Sequence, residues 1–300
     1  MKFAVITPSY RGDHALCVEL CRSFDRFAAD GIDHVLVVPR RDLALFSPLA
    51  NARRTVIVKE DVLPRWIVTV PFPPVVRLPF IGTKRMRTLW VTPRLRPVRG
   101  WILQQIVKLS ADRFTDADVF VFIDSDGAFV RPFGPDTICR DGKVLLHYEP
   151  DCIERSLDLY AGWQNVACDL IGVPHYPYAR DNYITGLAVW RRDRLVELQR
   201  RIEETSGMDF RAALVRCRHL SEYVLYGVYC DRLAEGDGGH YRHSPHLVLL
   251  EDALDVSRED DVERLLRDML PSHVVVLIQS TSAWTLEARR RAIAAAQALA

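Results

Sequence analysis

Apolar residues in this chain gather into short blocks set between stretches of helical period. Phe3 to Ile6 run apolar and partly β-branched, the pattern of a strand covered on both faces. Thr7, Pro8, Ser9 and Tyr10 end it. Asp13 then stands where a helix N-cap belongs, and Ala15, Leu16, Val18, Leu20 and Phe24 repeat at helical spacing. Val35–Val38 and Thr55–Val58 predict two more strands. Ile102, Gln105, Ile106 and Leu109 mark a helix face, and an apolar strand follows between Asp118 and Asp124. Leu145–His147, Leu187–Trp190 and His273–Ile278 complete the strands. Helices are predicted over Leu195–Ile202, Glu222–Leu233, Val262–Met269 and Thr285–Leu299. Strands alternating with helical crossovers imply an α/β sheet with parallel neighbours.

Residues 62–98 break this rhythm. Pro64, Pro71, Pro73, Pro74, Pro79, Pro93 and Pro97 stand among Trp66, Phe72, Phe80 and Trp90. Proline at this density excludes regular helix and central strand. The segment is too apolar for a solvated linker. It reads as a loop packed on the core, or as an insertion that shapes an acceptor pocket or touches a membrane surface. Lys84, Arg85 and Arg87 within it read as a solvated rim or as a phosphate attractor.

The 300 residues are 49% hydrophobic and 26% charged, enough for a sizeable core, and the length fits one large domain or two small ones. A formal charge of +1 gives no reason to expect a nucleic-acid partner. No apolar stretch approaches the roughly 18 residues that span a bilayer. The seven cysteines form no C-x-x-C pair and read as reduced thiols, Cys17 and Cys21 one helical turn apart. A cytoplasmic protein is expected.

Asp124-Ser125-Asp126 is the strongest chemical signal. Two carboxylates appear where a buried strand ends, the place where open α/β sheets bind ligands. Like charges held close call for a counter-cation, and Mg²⁺ or Mn²⁺ suits oxygen ligands shared with substrate phosphates. The competing reading is a strand-end cap and a turn acid before Gly127.

With this motif on that strand, the sequence resembles a GT-A glycosyltransferase of the D-x-D type, in an uncharacterised bacterial branch. The resemblance covers about residues 1–290. It implies a mixed, mostly parallel Rossmann-like sheet flanked by helices, carrying the Pro-rich segment as an insertion. It also implies a nucleotide-sugar donor, a UDP-sugar first among them, and a small-molecule or glycan acceptor. Asp124 and Asp126 would hold Mn²⁺ or Mg²⁺, with His273 as third ligand; His240, His243 and His246 are the other late histidines, and Gln279 and Ser280, at the other end of that last strand, are the alternative residues to face the diphosphate. Thr7, Ser9 and Tyr10 occupy the loop that meets the donor base and ribose. Gln105 and Lys108, on the helix before D-x-D, fall near the nucleotide along with Ser125. Asp181, Asn182, Thr185 and Gly186 match a glycine loop facing the donor sugar or acceptor. Glu222, one residue after a plausible N-cap at Ser221, matches the general base of inverting members, although Tyr223 stands where a second acid is usual.

The resemblance implies one domain over 1–300: a nucleotide-binding half to about 130, an acceptor half over about 131–284 and a closing helix over 285–300. Three other readings stay open. A sugar-phosphate nucleotidyltransferase would share the α/β plan but open with a Gly-rich basic loop. A HAD-like phosphatase would carry its D-x-D near the N-terminus. A non-catalytic binding protein would use Arg289, Arg290 and Arg291 on the closing helix to dock a partner or an anionic surface.

Overall fold

The structure is a computed structural model, and it describes residues 1–70, 76–78, 82–84, 89–93, 97–153, 158–177, 181–251 and 259–299. Its centre is a sheet of β1 (Phe3–Pro8), β2 (Ile32–Val38), β3 (Arg54–Val58), β4 (Val119–Ile123) and β5 (Leu187–Arg191). Their spatial order is β5-β4-β1-β2-β3. β1 pairs in parallel with both β2 and β4, and β2 with β3, while β5 runs antiparallel with Leu187 opposite Ile123. This is the mixed, mostly parallel sheet flanked by helices that was expected, with the Pro-rich insertion on it.

Side-chain alternation divides the core. Phe3, Val5, Val119 and Val121 face Leu20 and Phe24 of α1 (His14–Phe27). Ala4, Ile6, Phe120, Phe122 and Trp190 face the other way. They meet α2 (Gly100–Lys108), α3 (Glu222–Arg232) and the helices Asp158–Ile171 and Arg192–Ser206. Every residue of β4 is buried, which explains its unbroken apolar run. Burying each such Phe or Val contributes about 1.5–3 kcal/mol. Trp190 seals this side, its ring 4.5 Å from that of Phe122 and stacked at 4.7 Å on Tyr226 of α3. Gly227 lets α3 approach closely: a Cβ there would meet the Tyr183 ring at 2.2 Å.

The predicted strands and helices are present, with ends shifted by a few residues. The pattern did not mark the helix Asp158–Ile171, nor the short strands Gly127–Phe129, His240–His243 and Val248–Glu251. Gly127–Phe129 pairs antiparallel with Val275–Ile278, so the chain leaving the acidic motif is stitched to the end of the protein. In the Pro-rich segment, Val68–Val70, Leu89–Val91 and Pro97–Val98 form a separate ribbon. Pro71, Pro73, Pro74, Pro79, Phe72, Phe80, Arg85, Arg87 and the side chain of Lys84 lie outside the described residues.

All seven cysteines are free thiols. No helix among the described residues is long and apolar enough to cross a membrane. Of the three arginines of the closing helix, α4 (Leu286–Ala298), Arg290 and Arg291 are exposed and Arg289 is not. Arg289 is buried and donates to the carbonyls of Ile278, Gln279 and Trp284 and to Ser282 Oγ. Arg290 pairs with Glu19 at 2.7 Å.

Candidate active site

The chain passes from β1 to β2 to β3 on one side, then returns to β4 on the other side of β1. A reversal of this kind leaves a crevice beyond the carboxyl ends of the strands. There the structure has a cleft of about 990 Å³, lined by residues that directly follow β1, β2, β3 and β4.

One end of the cleft is acidic. Asp124, Ser125 and Asp126 leave β4 into it, and Asp13 joins them from the start of α1. Asp13 holds the N-cap position, but its carboxyl makes no cap bond. Asp126 Oδ2 accepts the Ser280 N–H at 2.8 Å, while Oδ1 is buried with no hydrogen-bond partner among the described residues. Burial, reinforced by the charge of Asp124, pushes the Asp126 carboxyl up to about 6. An unsatisfied buried carboxylate oxygen is costly in a native protein. It is relieved by a ligand that brings a cation or a proton.

Asp124 differs. Its side chain is 43% exposed, and Lys108 Nζ approaches Oδ1 from beneath at 3.3 Å. Gln104 Nε2, one turn earlier on α2, donates to the same oxygen at 3.3 Å. The Lys108 side chain is 2% exposed and reaches Glu222 Oε1 at 3.1 Å. It also donates to Tyr223 Oη at 2.6 Å. Burial disfavours the ammonium, but Asp124, Tyr223 and Glu222 outweigh it and hold the Lys108 pKa well above the usual lysine range. Lys108 is thus a permanent internal cation beneath Asp124. The sequence reading placed it at the nucleotide; the structure places it in the core.

The opposite end is aromatic and basic. Trp90 and Thr69, from the Pro-rich ribbon, form its wall, with Arg41 and Lys59 beside them. Among the described residues of the Pro-rich segment, these two line the cleft. Between the two ends, Tyr10 lies over Gly12, where a Cβ would come within 2.4 Å of its ring. Trp101 presents an indole that is 50% exposed, anchored by Nε1–H donation to the Leu220 carbonyl at 2.9 Å.

Of the residues singled out from sequence, Ser9, Tyr10, Asp124, Ser125 and Asp126 line the cleft together. The others do not. Thr7 is fully buried, its hydroxyl 3.2 Å from His34 Nε2. Gln105 points into the core and donates to the Leu220 carbonyl at 2.7 Å, so its neighbour Gln104 is the cleft residue. Glu222 is 2% exposed, its Oε1 3.1 Å from Lys108 Nζ and its Oε2 buried without a hydrogen-bond partner among the described residues, so it does not line the cleft as a general base would. His273 accepts the Leu270 N–H at 3.0 Å. It lies five residues before Ile278, roughly 15 Å back along extended chain from the end near Asp126, too far for the two side chains to share one metal ion.

The glycine loop is also turned away. Asp181 Oδ1 accepts the Asp151 N–H at 3.0 Å. Asn182 donates to Glu149 Oε2 at 2.8 Å and accepts from the Ile184 N–H at 2.9 Å and from Tyr160. Thr185 Oγ1 accepts the Leu187 N–H at 3.4 Å, and Gly186 sits against Leu277 and Val248. These residues shape the loop into β5 and do not line the cleft. Sequence reasoning missed Asp13, Lys59, Trp90, Trp101 and Gln104 as cleft residues, whereas Ser280, read as facing the diphosphate, does line the cleft. For Lys59 the signal was available: it is the first residue after a parallel strand, as Asp124 is.

Among the described residues, no group of three or more His, Cys, Asp and Glu side chains converges as a ready-made metal site. Asp126 Oδ1 and the free oxygen of Asp124 nevertheless suit a hard cation that takes its remaining ligands from substrate phosphates and water.

A family model described as a family of unknown function, DUF6492, matches residues 4–295. No curated protein matches the chain. Two solved structures are similar in chain path. One is an active-site mutant of LgtC, at 12% identity, covering 98% of this chain and 96% of that one with a TM-score of 0.46. The other is galactosyltransferase LgtC in complex with donor and acceptor sugar analogs, at 12% identity, the same coverage and a TM-score of 0.45.

Proposed function

The chain belongs to DUF6492, a family of unknown function, so its activity has to be read from its own cleft, and we propose that it is a glycosyltransferase that takes a nucleotide-sugar donor with the help of a divalent cation. One observation carries the proposal. At the switch point of a parallel sheet, the strand-end carboxylates Asp124 and Asp126 meet a 990 Å³ cleft, one of them with a buried, unpartnered oxygen.

Asp126 and Asp124 would hold Mn²⁺ or Mg²⁺. When bound, the ion offsets charge on a departing nucleoside diphosphate. The chain's own groups do the rest. Lys108 and Gln104 fix the Asp124 carboxylate in place. The Ser280 N–H orients Asp126. Tyr10 offers a face for a base, Ser9 a hydroxyl, and Trp101 an apolar platform for a sugar ring. Glu222 anchors Lys108 and is not assigned to proton abstraction. The nucleotide-binding half is placed at about 1–130 and the acceptor half at about 131–284, within a single domain. The Pro-rich ribbon contributes the far wall from within the first half.

The test is a thermal-shift series with UDP-, GDP-, CDP- and dTDP-sugars, with and without Mn²⁺. A ligand selective for the native state raises its melting temperature by mass action. We expect a metal-dependent rise for one nucleotide that is absent in Asp126→Ala. No rise with any of the four would overturn the proposal. Pyrophosphate release from a nucleoside triphosphate and a sugar phosphate would instead indicate a nucleotidyltransferase.

A further inference from the structure

Lys59 follows β3 and faces the cleft at the end away from the carboxylates. Its ammonium lies 4.7 Å from the centre of the Trp90 ring. Among the described residues no carboxylate pairs with it. The neighbouring arginines are already engaged: Arg40 bridges to Asp61, and Arg41 lies 3.9 Å from Asp42. Burial, reinforced by Arg41 and opposed by the charges of Glu60 and Asp42, lowers the Lys59 pKa. Its charge is therefore under-compensated, and an indole face is a weaker partner than an anion. β4 and β3 are three strand spacings apart in the sheet, which sets Lys59 about 14 Å from Asp124.

We propose that Lys59, backed by Trp90, is an anion-recognition point, and that the cleft takes a substrate bearing a phosphate or carboxylate about 14 Å from the group that meets Asp124 and Asp126. The inference rests on the cleft being the transferase site. The donor's diphosphate is assigned there to the acidic end, and Trp90 belongs to the Pro-rich segment read as shaping an acceptor pocket; the second anion is therefore assigned to the acceptor, although both Lys59 and Trp90 precede the acceptor half, and an anionic acceptor is the substrate class that follows.

Inorganic phosphate is the probe, titrated by calorimetry into wild type, Lys59→Met, Lys59→Arg and Asp126→Asn. Phosphate should bind wild type, weaken at least about tenfold in Lys59→Met and stay within about threefold in Lys59→Arg. Asp126→Asn should still bind it, which separates this site from the acidic end. Phosphate that binds Lys59→Met as tightly as wild type, or that fails to bind wild type, overturns the proposal. A second measurement needs no variant: phosphate should protect Lys59 of wild type from an amine-acylating reagent, as read by mass spectrometry. Lack of protection counts against the site. Titration into protein saturated with nucleoside diphosphate and Mn²⁺ then identifies the source of the anion. Retained phosphate binding supports the acceptor assignment. Competition overturns that assignment and gives the anion to the donor. Metal-dependent nucleotide binding at Asp126 can survive the loss of the Lys59 site, so failure here leaves the transferase reading separately testable.

Discussion

Two polar clusters sit on loops beside the same sheet, and they are built in opposite ways. Around Asn182 the groups satisfy one another. Its amide joins Glu149 and the Ile184 N–H, and Ser244 Oγ completes the Glu149 carboxylate at 2.8 Å. Around Asp126 the set is unfinished, since Oδ1 has no partner and burial raises the carboxyl's pKa. A closed network holds a loop; an open one at the edge of a cleft leaves room for a ligand. By sequence alone the two were alike, each a run of polar residues next to a strand end.

The largest effect should come from the hidden part of the open cluster. Lys108→Met leaves Glu222 buried without its cation, and breaking a buried pair costs about 3–5 kcal/mol. Urea unfolding measures this. A loss of only a few tenths would mean that Lys108 is not what holds the α2–α3 junction.

Asp126→Asn should act in the other direction. A carboxylic acid whose folded pKa is raised lends stability that is full below its unfolded pKa and disappears as pH rises through the folded value of about 6. Above pH 6 its charge is a burden, so Asn, which still accepts the Ser280 N–H, should stabilise the protein by about 3 kcal/mol at pH 8. The gain should shrink between pH 6 and 4 and vanish below. Unfolding curves across that range, showing no gain at pH 8, would place Asp126 in the closed class.

A smaller effect is expected in the closed cluster. Asn182→Ala should cost about 1–2 kcal/mol through its lost hydrogen bonds, and nucleotide affinity, followed by calorimetry, should stay at the wild-type value. A tenfold loss of affinity would blur the division drawn above. At the bottom of the scale, Arg290→Ala removes an exposed pair with Glu19 and should change stability by less than about 0.5 kcal/mol in the same unfolding assay.

Much of the sheet was legible because β4 and β1 are apolar on both faces, a pattern that leaves few alternatives. The site was legible only where chemistry and strand ends coincide, as at Asp124, Asp126 and Tyr10. Gln105 was preferred over Gln104 because the sequence does not show which face of a short, mostly apolar helix turns to a cleft. Glu222 looked like a base because a first-turn acid is visible, whereas the lysine that neutralises it comes from a helix 114 residues earlier. His273 failed for a related reason: it lies two residues before the strand Val275–Ile278, at the end away from Asp126. Long-range partners decide such roles, and no local pattern encodes them.

The central claim is that the unfinished carboxylate cluster exists to take a cation together with a diphosphate. Calorimetric titration of a nucleoside diphosphate into wild type and Asp126→Asn, each with and without Mn²⁺, tests it most directly. The account predicts binding to wild type that depends on Mn²⁺ and weakens at least about tenfold in Asp126→Asn, even though that variant is the more stable protein. Equal affinity in the two proteins, or binding indifferent to the metal, would contradict it.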